Sequence, residues 1–76
     1  MNKLKLLRES AGLSQSQMAK KAGISLYTVH AYEQNRKELD RAKFETLLNL
    51  SLALNCAMSS LLSDPELIQK SKKARL

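Results

Sequence analysis

The chain has 76 residues, 43% of them hydrophobic, with thirteen Lys and Arg against seven Asp and Glu. That length supports one small domain and excludes a two-lobed enzyme with a cleft between lobes, while the net charge of +6 asks for an anionic partner, nucleic acid before membrane or acidic protein. One cysteine, Cys56, excludes an internal disulfide, and one histidine, His30, excludes a Cys/His zinc site of ordinary ligand count, so no metal or other cofactor is expected. Fifteen Leu against three Val plus Ile, with two Gly and one Pro, point to an all-α fold. Leu6-Leu7 falls far short of a signal sequence or of the roughly 20 apolar residues of a membrane span, and a soluble, unprocessed, cytoplasmic protein is expected.

Asn2 is a good N-cap, and Leu4, Leu7 and Ala11 recur behind it at helical spacing, which predicts a first helix ending near Gly12. Ser14 and Gln17 form a capping box for a second helix that turns Met18, Ala19 and Ala22 inward and stops at Gly23. Ser25 caps a third helix running to about Gln34, with Val29 and Tyr32 on its inner side, and Asn35 suits the left-handed position that follows. Residues 35–43 read as a polar loop that Asp40 caps into a fourth helix, where Phe44, Leu47, Leu48, Leu50 and Leu54 make a strongly amphipathic pattern. A short fifth helix, Met58 to Leu62, completes the compact part. Asp64-Pro65 starts one further turn through Leu67 and Ile68, and the basic end from Lys70 to Leu76 is expected to fray. The chain thus divides into a folded unit, 1–63, and a C-terminal extension, 64–76.

Two helices of about eight to ten residues joined by Gly23-Ile24-Ser25 have the size and spacing of a helix-turn-helix. Leu13-Ser14-Gln15, Met18-Ala19, Ala22-Gly23-Ile24-Ser25, Val29 and Tyr32-Glu33, followed by Phe44 to Leu48, Leu54 and Leu61-Leu62, resemble the phage-repressor and Cro type (Xre-like) helix-turn-helix family. The resemblance runs from about Leu4 to Leu62. It implies a compact five-helix DNA-binding domain with the motif at helices two and three, docking its third helix in the major groove of double-stranded DNA.

The resemblance also implies site residues. Ser25, Tyr27, Thr28, His30 and Ala31 stand on the reading helix, Gln15 at the start of helix two, and Arg36, Lys37 and Lys43 along the loop that follows, the last four against phosphate. Arg41 belongs to the same basic run. Arg8 and Glu33 are implied to form an enclosed ion pair. The chain departs from relatives in a longer loop without its common proline, in Asn35 where glycine is usual, and in Leu26 and Ala31 at recognition positions. With those two offering only methyl groups, readout is expected to lean on thymine methyls and DNA shape. Leu48 and Leu52 are left over after Leu47, Leu50 and Leu54 fill the inner face, so they either lie under the segment 64–68 or form a dimer or partner face with Leu67 and Ile68.

The basic residues Lys70, Lys72, Lys73 and Arg75 carry four of the six net charges, leaving nine bases against seven acids in the rest. No second histidine, Gly-rich phosphate loop or carboxylate pair beside a nucleophile supports catalysis, and no enzyme activity is expected. The functional expectation is a homodimeric transcriptional repressor on a palindromic operator. The alternative is an antitoxin-like interaction module that neutralises a protein partner and autoregulates its operon.

Overall fold

Each of the first three helices starts on a cap that the local sequence supplies. The side chain of Asn2 accepts the N–H of Lys5, Ser14 accepts that of Gln17 while the Gln17 side chain returns to the Ser14 N–H, and Ser25 accepts that of Thr28. In the computed structural model, which describes residues 2–76, these caps open α1 (Lys3–Ser10), α2 (Gln15–Ala22) and α3 (Leu26–Glu33). Two further helices follow, α4 (Phe44–Leu54) and α5 (Pro65–Lys73), with 3₁₀ turns at Leu39–Arg41 and Met58–Leu61 and no strand among the described residues. The fold is therefore all-α. Among the described residues no helix is long and apolar enough to cross a membrane.

Gly23 ends α2 in the left-handed conformation, φ 66°, where a side chain would be strained, and its reversal sends the chain directly into α3. Asn35 makes the same reversal after α3 with φ 60°, and Asn55 repeats it after α4 with φ 52°. These short stops bring α2 against both α3 and α4, and α1 against α3. The shared interior is filled by Leu4, Met18, Val29, Leu50 and Leu61, all fully buried, each contributing roughly 1.5–3 kcal/mol relative to an exposed side chain. Leu7, Leu13, Ile24, Leu39 and Cys56 close its margin.

The structure differs from the sequence expectation in three respects beyond α3. Met58–Leu61 is a 3₁₀ turn and not an α-helix. The segment from Pro65 is a nine-residue α-helix, capped by Asp64 accepting from the Glu66 N–H, and it carries Lys70, Lys72 and Lys73 in its last turn. It packs on the Met58–Leu61 turn, with Leu67 and Ile68 against the core and Ser71 buried. Arg75 at φ 60° lets the Leu76 N–H donate to the Ser71 carbonyl at 3.0 Å, so the basic end closes as a capped helix and not as a frayed tail. Favourable cation placement at a helix C-terminus is the physical reason that a lysine-rich sequence suits this turn. Asp40, third, does not cap α4. Its two carboxylate oxygens accept the N–H groups of Ser63 and Asp64 at 2.7 and 3.1 Å, tying the loop to the start of α5.

Burial pushes the Cys56 thiol and the Tyr32 phenol above their ordinary values of 9.0 and 10.0. Because the folded state holds these protons more tightly than the unfolded chain, their stabilisation is complete below pH 9 and lost as pH rises through the raised values. The melting temperature should fall above pH 9, and Cys56→Ala should postpone the first part of that fall toward pH 10. A thermal melt series from pH 7 to 11 on both chains checks it; coincident curves would remove the assignment to Cys56.

Candidate nucleic-acid interface

Helix α3 begins at the surface and ends in the interior. Tyr27, its second residue, is 66% exposed, Ser25 before it is exposed and Thr28 half-buried, whereas Val29, Ala31, Tyr32 and Glu33 are buried. The Ser25 and Thr28 hydroxyls lie 2.8 Å apart and share the capping of the first turn, leaving the N–H groups of Leu26 and Tyr27 without an intrahelical partner. Positive helix-dipole charge and free donors thus sit beside an exposed aromatic ring.

Ala31 does not belong to this surface. It is 2% exposed, so the expectation that it meets base edges is corrected. Helical spacing sets it opposite Val29, yet its methyl group is covered; at this end of the helix the loop turns back on the backbone. Both the Arg36 and the Lys37 N–H donate to the Ala31 carbonyl, at 2.8 and 3.2 Å. A periodicity argument knows nothing of that return.

The same return builds a groove. Ser25 and Thr28 at the start of α3 face Arg36, Lys37, Arg41 and Lys43 of the loop, with Thr46 of α4 at its far wall. Arg41 pairs with Glu38 at 3.5 Å in the open, an interaction of little energetic weight. The guanidinium of Arg36 lies over the Tyr27 ring, 5.4 Å from its centroid, which joins the exposed end of α3 to the basic loop. Nothing in the spacing of Tyr27 and Arg36 signals this contact, because it depends on the left-handed turn at Asn35.

Behind the groove a chain of polar side chains ties the three N-terminal helices together. Arg8 of α1 donates from Nε and Nη2 to the two carboxylate oxygens of Glu33 at 2.7 and 3.1 Å, and from Nη1 to the Leu13 carbonyl at 2.9 Å. The pair is enclosed, its side chains 11% and 3% exposed. Its hydrogen bond to Glu33 raises the Arg8 pKa, outweighing the opposing effect of burial. Gln15 Nε2 also donates to Glu33, at 3.1 Å, and Gln15 Oε1 faces His30 Nε2 at 3.0 Å. A carboxylate only accepts, so the Gln15 amide must turn its NH₂ to Glu33 and its oxygen to His30, which then carries a proton on Nε2. Gln15 is thereby engaged at both ends in the free chain, and the free N–H groups of Gln15 and Ser16 are what the start of α2 offers to an anion. The pairing of Gln15 with His30 went unread in the sequence; fifteen positions separate them, and only the crossing of α2 and α3 brings them together.

The expected apolar face is only partly as read. Leu52 is 71% exposed and Leu48 36%, and Phe44 at 56% extends the stripe by one more turn of α4. Leu67 and Ile68 do not continue it, since both lean on the core, and α5 leaves Leu52 uncovered. No group of three or more His, Cys, Asp or Glu that could hold a metal ion occurs among the described residues.

A capped pair of helices crossing at a left-handed glycine, with the second helix exposed at its N-terminal end, defines a helix-turn-helix protein. Residues 1–55 match the helix-turn-helix domain family, and the chain belongs to it, which makes it a DNA-binding domain by class and accords with an Xre-like member. No curated protein and no solved structure matches the chain.

Removing one partner of the enclosed pair should cost more than removing both, because the survivor is left charged and dry. Glu33→Leu is expected to lower stability by about 3 kcal/mol, Arg8→Met by a similar amount, and Arg8→Met with Glu33→Leu together by clearly less than either. Urea unfolding of the two singles and the double measures this, and additive losses would show that the pair is not coupled.

Proposed function

We propose that the chain is a sequence-specific transcriptional regulator that represses by occupying a palindromic operator as a homodimer. The observation that carries the reading is the exposed start of α3, with Tyr27 and Thr28, set against a groove flanked by Arg36, Lys37 and Lys43. Helix α3 enters the major groove with Tyr27, Thr28 and the accessible side of His30 toward the bases. Lys37, Lys43 and the free amides that open α2 follow the phosphates. Lys70, Lys72 and Lys73 ride on α5 as a separate cluster and add non-specific attraction to DNA.

The stripe Phe44, Leu48 and Leu52 supplies the dimer face, since three large apolar side chains at one-turn spacing on a surface helix are otherwise unburied. A subunit pair so joined sets two α3 helices about one DNA turn, ~34 Å, apart. Selection of binding sites from random DNA tests the reading directly. A symmetric motif with that half-site spacing is expected, and recovery of no motif would overturn it.

Two substitutions separate the parts of this surface. Lys43→Ala should weaken operator and scrambled DNA alike and lower the salt slope of binding by about one, as loss of a phosphate contact does. Titration at two salt concentrations measures it, and a loss confined to the operator would move Lys43 from backbone to base. Leu52→Lys should shift the chain from dimer to monomer in sedimentation while its helical circular dichroism persists. An unchanged oligomer would place the dimer face elsewhere, and a wild-type chain that is monomeric until a second protein is added would favour the antitoxin-like alternative.

A further inference from the structure

We infer that Arg36 and Tyr27 act as one base-reading unit, in which the guanidinium held over the ring reads the O6 and N7 edge of a guanine. The inference rests on the DNA-binding reading above and assigns Arg36 a role other than the phosphate contact that the sequence suggested.

The position of Arg36 is built by backbone. Asn35 reverses the chain at φ 60°, the Arg36 N–H then donates to the Ala31 carbonyl at 2.8 Å, and the side chain is returned along α3 toward its N-terminal end. There the guanidinium carbon stands 5.4 Å from the centroid of the Tyr27 ring. Among the described residues no carboxylate claims it, whereas the neighbouring Arg41 is paired with Glu38. Tyr27 is the second residue of α3 and two-thirds exposed, so the head of Arg36 is delivered to the part of a recognition helix that meets base edges, not to the flank where the loop runs.

The guanidinium lies over the ring, and among the described residues no side-chain or backbone acceptor takes up its rim of N–H donors. That rim fits the paired acceptors of a guanine in the major groove as a rigid planar fork, whereas a lysine ammonium reaches the same acceptors only as a mobile, strongly hydrated point charge. Holding the side chain against the ring also fixes rotamers before DNA arrives, which converts a mobile surface arginine into an oriented one. Leu26 beside Tyr27 offers only apolar contact, so the arginine held over the ring is the group on this surface best able to distinguish guanine from the other bases.

The test uses the full chain and the operator recovered from random-site selection, with Tyr27→Leu, Tyr27→Phe, Arg36→Lys and the double variant Tyr27→Leu with Arg36→Lys. Arg36→Lys keeps the charge and should still lose operator affinity by about tenfold, several times more than it loses on scrambled DNA. Tyr27→Leu should lose a similar factor, Tyr27→Phe should recover most of it by restoring the ring, and the double variant should be about as weak as the worse single. Replacing one operator guanine with 7-deazaguanine should weaken the wild type by several times more than it weakens Arg36→Lys. Arg36→Lys that binds the operator as wild type does, losses that multiply in the double variant, or equal losses on operator and scrambled DNA would each overturn the inference while leaving DNA binding intact. A wild-type chain that selects no motif would overturn the functional reading and this inference together. Both side chains are exposed, and matching thermal melts confirm that each variant is folded.

Discussion

The enclosed pair of Arg8 and Glu33 is the constraint on which the rest of the molecule depends. A carboxylate 3% exposed at the C-terminal end of α3 is tolerable only if it is neutralised and fully hydrogen-bonded. Arg8 does so with two donors from α1, and Gln15 adds a third from the start of α2. The position of α3 is thus fixed by one ion pair and one amide as well as by apolar packing. Hydrophobic contacts resist separation of the helices but are weakly directional. The fork of a guanidinium on a carboxylate is strongly so, and it sets the rotation and translation of α3 against its neighbours.

That orientation decides which residues of α3 reach solvent. The helix enters from the surface at Ser25 and runs inward, so its exposed end is its N-terminal one, where unpaired backbone donors and the helix dipole already favour an anion. The loop to α4 then returns over the C-terminal half and lays its cations beside that exposed end. Cations of the loop and the exposed aromatic and hydroxyl side chains of α3 are collected on one surface, while the lysines of α5 occupy a separate helix packed on the Met58–Leu61 turn.

Much of the architecture was legible in the residues. Caps at Asn2, Ser14 and Ser25 and left-handed stops at Gly23 and Asn35 act within three or four positions of themselves, so their effects can be read without knowing the fold. The inner faces of α2 and α4 were legible for the same reason, since helical spacing sorts Met18, Ala19, Ala22, Leu47, Leu50 and Leu54 from their polar neighbours. The lysine-rich end is helical although it has little apolar surface to bury. Asp64 and Pro65 at its start, and cations at its C-terminus, stabilise a helix whose few apolar residues, Leu67 and Ile68, suffice to dock it.

By itself, then, the sequence determined an all-α chain with a helix-turn-helix at residues 15–33, because the signals for both are local: cap, period and turn. It also placed the surface at Tyr27 and the basic run from Arg36 to Lys43. Tertiary structure alone decided that Ala31 is covered, that Gln15 is held between Glu33 and His30, that Asp40 serves α5 and not α4, and that Arg36 lies on Tyr27. Each of these contacts joins residues from different elements or across a loop. Their geometry follows from how the helices cross and where the chain returns, and no periodicity along one helix contains that information.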